Sequence, residues 1–286
     1  MQLAILDSIS DPAKPGGENE DRIGWNASAA FVIDGATGLG DPIMSPPQSD
    51  AAWIAELARR HLEAELAPDR SLREVVRALC AEAAARFLPA AGPTVERYRH
   101  PNAGFQCLRL TGSGIEIAGL ADCTLFLKDA AGAVTRHSGM RSGRSAEQSS
   151  ARMALTRLGG FDAAGEGFRD AETLATLRAS RARQNTEAGI WTLGIHPEAA
   201  DHIRIETPAV ALPATGLLCT DGFADIVDNY ALCAAPDLID RAVAEGLAAL
   251  LAKIRRIERE VDPDGRIFAR YKRSDDASAV LVELTP

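Results

Sequence analysis

The fold of this chain is decided by the stretch Phe31-Val32-Ile33-Asp34-Gly35-Ala36-Thr37-Gly38, in which three apolar residues lead into an acid and a glycine-rich turn. The apolar run predicts the end of a buried strand, and the glycines allow the backbone to turn sharply and to approach a ligand. We therefore expect Asp34 at a strand end, partly buried and facing a cleft. A carboxylate is costly in that position unless it is paired or binds a metal ion.

The same pattern returns far along the chain as Leu217-Leu218-Cys219-Thr220-Asp221-Gly222. Two strand ends that carry Asp-Gly suggest two acids converging on one site for a hard cation, since oxygen ligands suit Mg²⁺ or Mn²⁺. A single Asp-Gly pair is weak evidence, because most such pairs form surface turns. The hypothesis therefore depends on the complete set of acids.

Composition and charge limit the class of protein. The chain has 286 residues, of which 46% are hydrophobic and 25% charged, as in ordinary soluble domains. A net charge of −9 argues against a nucleic acid as the main partner. The sequence has no apolar run of the ~18 residues that a membrane span needs, and its start does not resemble a signal peptide. We expect a cytoplasmic protein with neither a membrane nor a nucleic-acid partner.

The cysteines and histidines do not indicate a metal site. None of the five cysteines forms a C-x-x-C pair, and four lie in apolar runs, which favours free buried thiols. The five histidines are scattered without metal-ligand spacing, so zinc chemistry is not expected.

The remaining patterns predict alternating layers of strands and helices. Residues 2–9 predict a first strand, and Ser49 or Asp50 can cap a helix that Pro68 ends. Ser71-x-x-Glu74 is a capping box for a second helix, closed by Pro89 to Pro93, so that two helices would cover a sheet. Residues 104–138 predict a β-meander, residues 190–195 and 202–206 predict strands, and residues 237–260 predict one long helix.

Further acids stand at strand edges. Glu20 and Asp21 precede the Asp34 strand, so a short hairpin would bring them beside Asp34. Asp122 interrupts an apolar, strand-like segment, where an acid is rare unless it is paired or coordinating; the alternative is an ordinary turn residue.

Two more acidic groups follow in the second half of the chain. Asp225 follows Asp221 by about one helical turn. The acid pair Asp275-Asp276 directly precedes the last strand.

Residues 139–190 differ in character from the rest of the chain. Ser, Arg, Gly and Ala dominate, and two helices are predicted over 145–158 and 171–183. We interpret this segment as an inserted, mobile subdomain. Its arginines either face solvent or meet an acidic partner or a phosphate: Arg141, Arg144, Arg152, Arg157, Arg169, Arg178, Arg181 and Arg183.

The ordered set of acidic motifs resembles the metal-dependent protein phosphatases of the protein phosphatase 2C (PPM) type, and the resemblance covers essentially the whole chain. It implies an α+β fold, a four-layer αββα sandwich of two antiparallel sheets flanked by helices. It also implies a single phosphatase-like domain over 1–286, with a flap-like insert at about 139–190. The matching pieces are Asn19-Glu20-Asp21-Arg22, Val32-Ile33-Asp34-Gly35, Gly119-Leu120-Ala121-Asp122, Cys219-Thr220-Asp221-Gly222-Phe223-Ala224-Asp225 and Asp275-Asp276-Ala277-Ser278-Ala279-Val280.

The resemblance also implies roles for the acids closest to the chemistry. Asp34 would bridge two Mg²⁺ or Mn²⁺ ions, and the carbonyl group of Gly35 would contact one of them. Asp221 and Asp276 would complete the direct ligation. In this family the two ions activate a water molecule for attack on the phosphoryl group, without a side-chain nucleophile.

The other acids would act less directly. The resemblance implies that Glu20 and Asp21 hold the ions mainly through bound water. Asp122 and Asp225 would match a weaker, third metal position.

The chain departs from the family pattern at three points. The arginine that often grips the substrate phosphate four residues before Glu20 is Gly16 here, and the nearby Lys14 offers a point charge rather than a bidentate fork. Ala36 stands where some relatives carry a general-acid histidine. Ala277 stands where an asparagine commonly follows the last metal-binding acid.

The function that the resemblance implies is hydrolysis of phosphoserine and phosphothreonine in proteins. Three alternatives remain at this point. The first is a catalytically weak or inactive regulatory and binding module, the second is a phosphatase of small phosphorylated metabolites, and the third is an unrelated α/β protein with ordinary turn acids. The oligomeric state stays open.

Overall fold

Two antiparallel β-sheets lie face to face at the centre of the structure and carry helices on their outer faces. This computed structural model describes residues 1–44, 48–140, 144–161 and 170–286, without the side chains of 144–148 and 150. Over these residues the predicted α+β class and the αββα layering are confirmed.

The first sheet has the strand order β2-β3-β4-β5-β9, with β8 paired to β4. Its strands are β2 (Asp21–Trp25), β3 (Ala29–Gly35), β4 (Asn102–Thr111), β5 (Gly114–Leu120), β8 (Leu193–Gly194) and β9 (Arg204–Glu206).

The second sheet has the strand order β1-β11-β10-β6-β7. Its strands are β1 (Gln2–Asp11), β6 (Thr124–Lys128), β7 (Val134–Ser138), β10 (Ala214–Cys219) and β11 (Ala277–Thr285).

The helices surround these sheets. The α-helices are α1 (Asp50–Glu65), α2 (Leu72–Ala91), α3 (Arg144–Leu158), α4 (Ala171–Arg183), α5 (Asp221–Asp228), α6 (Ala235–Glu245) and α7 (Leu247–Arg256). Short 3₁₀ helices span Arg97–Arg99 and Pro197–His202, and a π-helical turn spans Ile257–Val261. No helix among the described residues is both long enough and apolar enough to cross a lipid bilayer.

The apolar run before Asp34 is continuous because β3 is buried on both faces. Phe31 and Ile33 pack against α1 and α2, whereas Ala30 and Val32 belong to the apolar layer between the two sheets. A strand covered on both sides needs apolar residues at every position rather than at alternate ones. Burying each large side chain contributes roughly 1.5–3 kcal/mol, so this strand fixes the position of the Asp34 end.

The predicted caps of the first two helices are confirmed. The Ser49 hydroxyl accepts a hydrogen bond from the Ala52 amide, and the Ser71 hydroxyl accepts one from the Glu74 amide. Pro89 lies inside α2, which ends two residues later at Ala91.

The single meander predicted for residues 104–138 is wrong, because the chain changes sheets in its middle. Strand β5 pairs with β4 and β9, whereas β6 pairs with β10 and β7. The change occurs at Ala121, which has a left-handed φ of 59°, and at Asp122. The local pattern of a strand does not reveal which sheet it joins, so the sequence missed this crossing.

The single long helix predicted for residues 237–260 is also wrong. Gly246 has a φ of +82° and separates α6 from α7. The helical spacing of apolar residues continues after Gly246, so the sequence pattern does not show the break. Near 190–206 the strands are shorter than predicted, with Leu193–Gly194 and Arg204–Glu206 on either side of a 3₁₀ helix.

A close backbone approach places the start of α5 against the segment before β11. A Cβ atom added to Gly222 would lie 2.1 Å from the Asp276 carbonyl oxygen. We expect Gly222→Ala to lower the free energy of unfolding by about 1–3 kcal/mol, because the backbone must shift to admit the methyl group. Urea unfolding in EDTA measures this change. Gly112→Ala is the control, since a Cβ atom there meets nothing within 4 Å; equal losses in both variants would contradict the prediction.

Candidate metal centre

Acidic residues from separate strands meet at one end of the sandwich. Asp21 begins β2 and Asp34 lies near the end of β3, and the two residues are direct partners in the antiparallel ladder. The predicted hairpin is therefore confirmed. Asp221 begins α5 directly after β10, and Asp275 precedes β11.

The electrostatics of Asp34 show which acids face it. Burial raises the pKa of the Asp34 carboxyl well above its usual value, and repulsion from Asp221, Asp21, Asp122 and Asp275 raises it further. The structure thus brings together the acids predicted from β2, β3, the β5–β6 turn and α5. It adds Asp275, to which the sequence analysis gave no role.

Asp21 is held by a small buried network. Its side chain is 1% exposed, and one carboxylate oxygen accepts a hydrogen bond of 2.7 Å from the Thr220 hydroxyl. The Ser278 amide in turn donates to that hydroxyl at 3.0 Å. Burial raises the pKa of Asp21 against the lowering effect of Thr220, and Asp276 and Asp275 raise it further. The network therefore fixes the orientation of an acid that the protein disfavours in its charged form.

The two acids before β11, Asp275 and Asp276, have different surroundings. The Asp276 carboxylate accepts hydrogen bonds from the backbone amides of Ala13 at 2.7 Å and of Glu20 at 2.6 Å. Asp276 thereby anchors the loop that leads into β2, whereas Asp275 is the neighbour that acts on Asp34. Burial raises the pKa of Asp276, and these two amides lower it. This placement favours Asp275 over Asp276 for contact with an ion beside Asp34.

Which of the two acids faces the cluster depends on the geometry of the loop before the strand. The sequence signal was the doubled acid itself, which supplies a carboxylate in either direction. Side-chain alternation along β11 does not distinguish the two acids, because β11 begins at Ala277 and both acids precede it.

Gly35 is required by a close backbone approach. A Cβ atom at this position would lie 2.6 Å from the Glu20 carbonyl oxygen and 2.8 Å from the Ala51 carbonyl oxygen. The Gly35 amide also donates to the Glu20 carbonyl oxygen at 3.2 Å. Gly35 therefore holds Glu20 and the end of β3 together.

A lysine that the sequence analysis missed lies among the acids. The Lys272 ammonium group is 2.8 Å from the Asp275 carboxylate and donates at 2.8 Å to the Thr37 hydroxyl, which donates to the Glu20 carboxylate. Burial opposes the charge, but Asp275 and Glu20 outweigh it and raise the pKa of Lys272. Lys14, the lysine considered from the sequence, is exposed in the loop beside Ala13.

Asp122 occupies the turn position that one of the two interpretations predicted, and its role as a metal ligand stays a prediction. It lies in the turn where the chain changes sheets, and it also raises the pKa of Asp34. Its carboxylate would be 3.1 Å from a Cβ atom built on Gly104 in β4. Asp225, with Asp221 and Asp275, lines a cavity of about 80 Å³.

The donor chemistry of the cluster fits a hard divalent cation. Its side chains offer carboxylate oxygens, which Mg²⁺ and Mn²⁺ prefer, and a cation would relieve the repulsion that raises the pKa of Asp34. Within the described residues no group of three or more His, Cys, Asp or Glu side chains is already arranged around one ion position. Mg²⁺ tolerates this arrangement, since it keeps several waters and often binds one or two carboxylates directly.

Two arginines of the 139–190 segment support the loop that follows Asp34. Arg178 donates to the Leu39 carbonyl oxygen at 2.8 Å and lies over the Tyr98 ring, and Arg181 donates to the Ala36 carbonyl oxygen at 3.2 Å. The two hydrogen bonds connect α4 to the loop beside the acids.

Among the other arginines of the segment, Arg157 pairs with nearby acids and three lie wholly or partly outside the described residues. Arg157 pairs with Asp170 and Glu172. Arg141 and Arg169, and the side chain of Arg144, lie outside the described residues.

The raised pKa of Asp34 predicts the stability of the metal-free protein. The folded state holds this proton more tightly than the unfolded state, so stability falls as pH rises from the usual value of 3.8 through the raised pKa. We expect Asp34→Asn to raise the Tm in EDTA at pH 7.5 by roughly 2–4 °C, equivalent to about 1 kcal/mol. The gain should shrink towards pH 4. Asp69→Asn, at an exposed position, is the control; a lower Tm for Asp34→Asn at pH 7.5 would contradict the prediction.

Neither a protein-family model nor a curated protein sequence matches the chain. Solved structures do match it along its length. The catalytic domain of the serine/threonine phosphatase PstP, in complex with two manganese ions, is 17% identical with a TM-score of 0.56, covering 100% of this chain and 99% of that one. The PPM Ser-Thr phosphatase MsPP from Mycobacterium smegmatis, in complex with cacodylate, is 16% identical with a TM-score of 0.55, covering 99% and 100%.

A third match comes from another bacterium. PppA, described as a key regulatory component of T6SS in Pseudomonas aeruginosa, is 15% identical with a TM-score of 0.58 and covers 99% of both chains. These similarities extend over both sheets and the helices outside them. The chain therefore has the fold of the bacterial PPM-type serine/threonine phosphatases.

Proposed function

We propose that the protein is a Mg²⁺- or Mn²⁺-dependent phosphatase that hydrolyses phosphoserine and phosphothreonine in proteins. The observation that carries this proposal is the convergence on Asp34 of acids from four other places in the chain, whose repulsion adds to burial in raising the pKa of its carboxyl. The PPM fold supports it, since phosphatases of this fold are among the matching structures.

The residues nearest the chemistry are Asp34, Asp221 and Asp275, which would hold two ions together with the Gly35 carbonyl group. Asp275 takes the place that the resemblance gave to Asp276, because the Asp276 carboxylate is bound to two backbone amides. The ions would supply an activated water and neutralise the phosphoryl oxygens.

The remaining acids would support this centre. Glu20 and Asp21 would act through bound water, and the Thr220 hydroxyl keeps Asp21 oriented. Asp122 and Asp225 would serve a weaker third ion. Asp21 lies in β2 and Asp225 in α5, whereas Glu20 and Asp122 lie within two residues of a strand. These positions close to regular elements suit a site that must hold its geometry.

We propose further that residues 139–190 are a flap-like insert in a single phosphatase domain. Two contacts support this interpretation, those of Arg178 and Arg181 with the loop after Asp34. These contacts connect α4 with the loop of residues 36–39, which follows the end of β3.

The second candidate is a catalytically weak module that binds its partner without rapid turnover. Two observations favour it. Gly16 leaves the phosphate without the usual arginine, and the described acids form no ready group of three ligands. The choice between the two candidates is a matter of turnover rather than of fold.

The first test is hydrolysis of p-nitrophenyl phosphate with EDTA, Mg²⁺ or Mn²⁺. We expect metal-dependent turnover in the wild type and a loss of about 100-fold or more in Asp34→Asn, because the variant loses a ligand charge. Asp69→Asn, which removes an exposed charge, should match the wild type.

Two outcomes of this test decide between the candidates. Wild type without turnover, but with Mn²⁺ binding by calorimetry, would favour the binding module. Turnover that survives Asp34→Asn would overturn the metal-site assignment. Where turnover is found, a preference for phosphopeptides over small phosphorylated metabolites would support the proposed substrate class.

The neighbouring acids Asp275 and Asp276 provide a matched pair of substitutions. We expect Asp275→Ala to weaken Mn²⁺ binding by about 10–100-fold. Asp276→Ala should instead lower the stability in EDTA by about 1–3 kcal/mol, because the Ala13 and Glu20 amides lose their acceptor. Calorimetry and thermal unfolding measure the two effects. The reverse result, with Asp276→Ala the worse metal binder and fully stable, would return the direct role to Asp276.

A further inference from the structure

Lys272 places a positive charge inside the acid cluster. Its ammonium group is 2.8 Å from Oδ1 of Asp275 and 2.8 Å from the Thr37 hydroxyl oxygen. That hydroxyl also donates to the Glu20 carboxylate. A single cation thus connects the acid before β11 with the loop after β3 and, through Thr37, with the acid before β2.

The backbone around Lys272 is held firmly although it has no regular secondary structure. The Asp262 carboxylate, on a residue 4% exposed, accepts from the Arg266 and Phe268 amides and from the Arg270 side chain. The Arg255 side chain donates to the Asp275 carbonyl oxygen at 2.8 Å. The loop therefore presents Lys272 and Asp275 to each other in a fixed arrangement.

The Lys272 side chain is only partly covered by the protein. It is 36% exposed, and a lysine stem has four rotatable carbons that can carry the ammonium group into water. It also lines the cavity shared with Asp221 and Asp225. Withdrawal from Asp275 would thus cost an ion pair but would not require the backbone to move.

We propose that Lys272 is a built-in counter-cation, which neutralises Asp275 in the metal-free protein and must be displaced when a divalent ion binds there. This inference rests on the proposed function, because it concerns the same metal centre. Oδ1 of Asp275 contacts Lys272 and accepts a hydrogen bond from the Asp276 amide at 3.0 Å, so an ion held by this carboxylate would lie close to the ammonium group. Two cations beside one carboxylate repel each other. The lysine therefore lowers the apparent affinity for the metal while it stabilises the metal-free state.

The test is Mn²⁺ binding to the full chain by isothermal titration calorimetry after EDTA treatment. We expect Lys272→Met to bind Mn²⁺ about ten-fold more tightly than the wild type, because no ammonium group competes for Asp275. Lys272→Arg, which keeps the charge, should retain the weaker binding. Thermal unfolding in EDTA should show a lower Tm for Lys272→Met, and saturating Mn²⁺ should restore it.

Lys128→Met is the matched control. Lys128 forms an ion pair with Asp240 between β6 and α6, at 2.5 Å. The substitution removes the same charge outside the acid cluster. Its Mn²⁺ affinity should equal that of the wild type, so a gain common to both methionine variants would show a general effect of net charge and overturn the proposal.

The remaining outcomes separate this proposal from the proposed function. Equal or weaker Mn²⁺ binding by Lys272→Met, in a wild type that binds the metal and hydrolyses phosphate, would overturn the role of Lys272 alone. No binding by either protein would overturn both proposals. Mn²⁺ binding by Lys272→Met but not by the wild type would support the proposal, because it would mean that Lys272 prevents binding of the ion.

Discussion

Asp21 and Asp34 face each other across neighbouring strands, so the sheet itself keeps two carboxylates close together. Burial raises the pKa of both groups, and repulsion from neighbouring acids raises it further, since like charges repel strongly where water is excluded. The apolar layers on either side of β3 offset this repulsion by fixing the strand ends. The Thr220 hydroxyl and the amides that bind Asp276 then orient the remaining groups. A protein that tolerates this arrangement is suited to bind positive charge there.

The sequence was most informative where partners are neighbours along the chain. Glu20, Asp21 and Asp34 belong to one hairpin, so their proximity follows from a short connection and the ladder register. The acid before the last strand was harder to place, because Asp275 and Asp276 point in different directions from a loop whose path the sequence does not show. Lys272 was missed for the same reason. It lies in an irregular segment whose shape comes from Asp262 and Arg255, both distant from any recognisable motif.

Long-range features of the fold were predictable in kind but not in detail. Alternation and capping residues located strands and helices, yet the change of sheet after β5 leaves no local trace. Gly246 broke a helix whose apolar stripe continues on both sides. The contacts of Arg178 and Arg181 could not be foreseen, since their acceptors are backbone carbonyl groups of a loop about 140 residues earlier. Composition indicated an arginine-rich segment without showing what the arginines bind.

The turn at Ala121 and Asp122 joins the two sheets at the end of the sandwich where the acids meet. Asp21 and Asp34 belong to one sheet, Asp221 and Asp275 adjoin strands of the other, and Asp122 lies on the chain that crosses between them. Repulsion among these groups pushes the two sheets apart at one end, against the apolar layer that holds them together. A positive charge that neutralises the cluster therefore also stabilises the packing of the two sheets against each other.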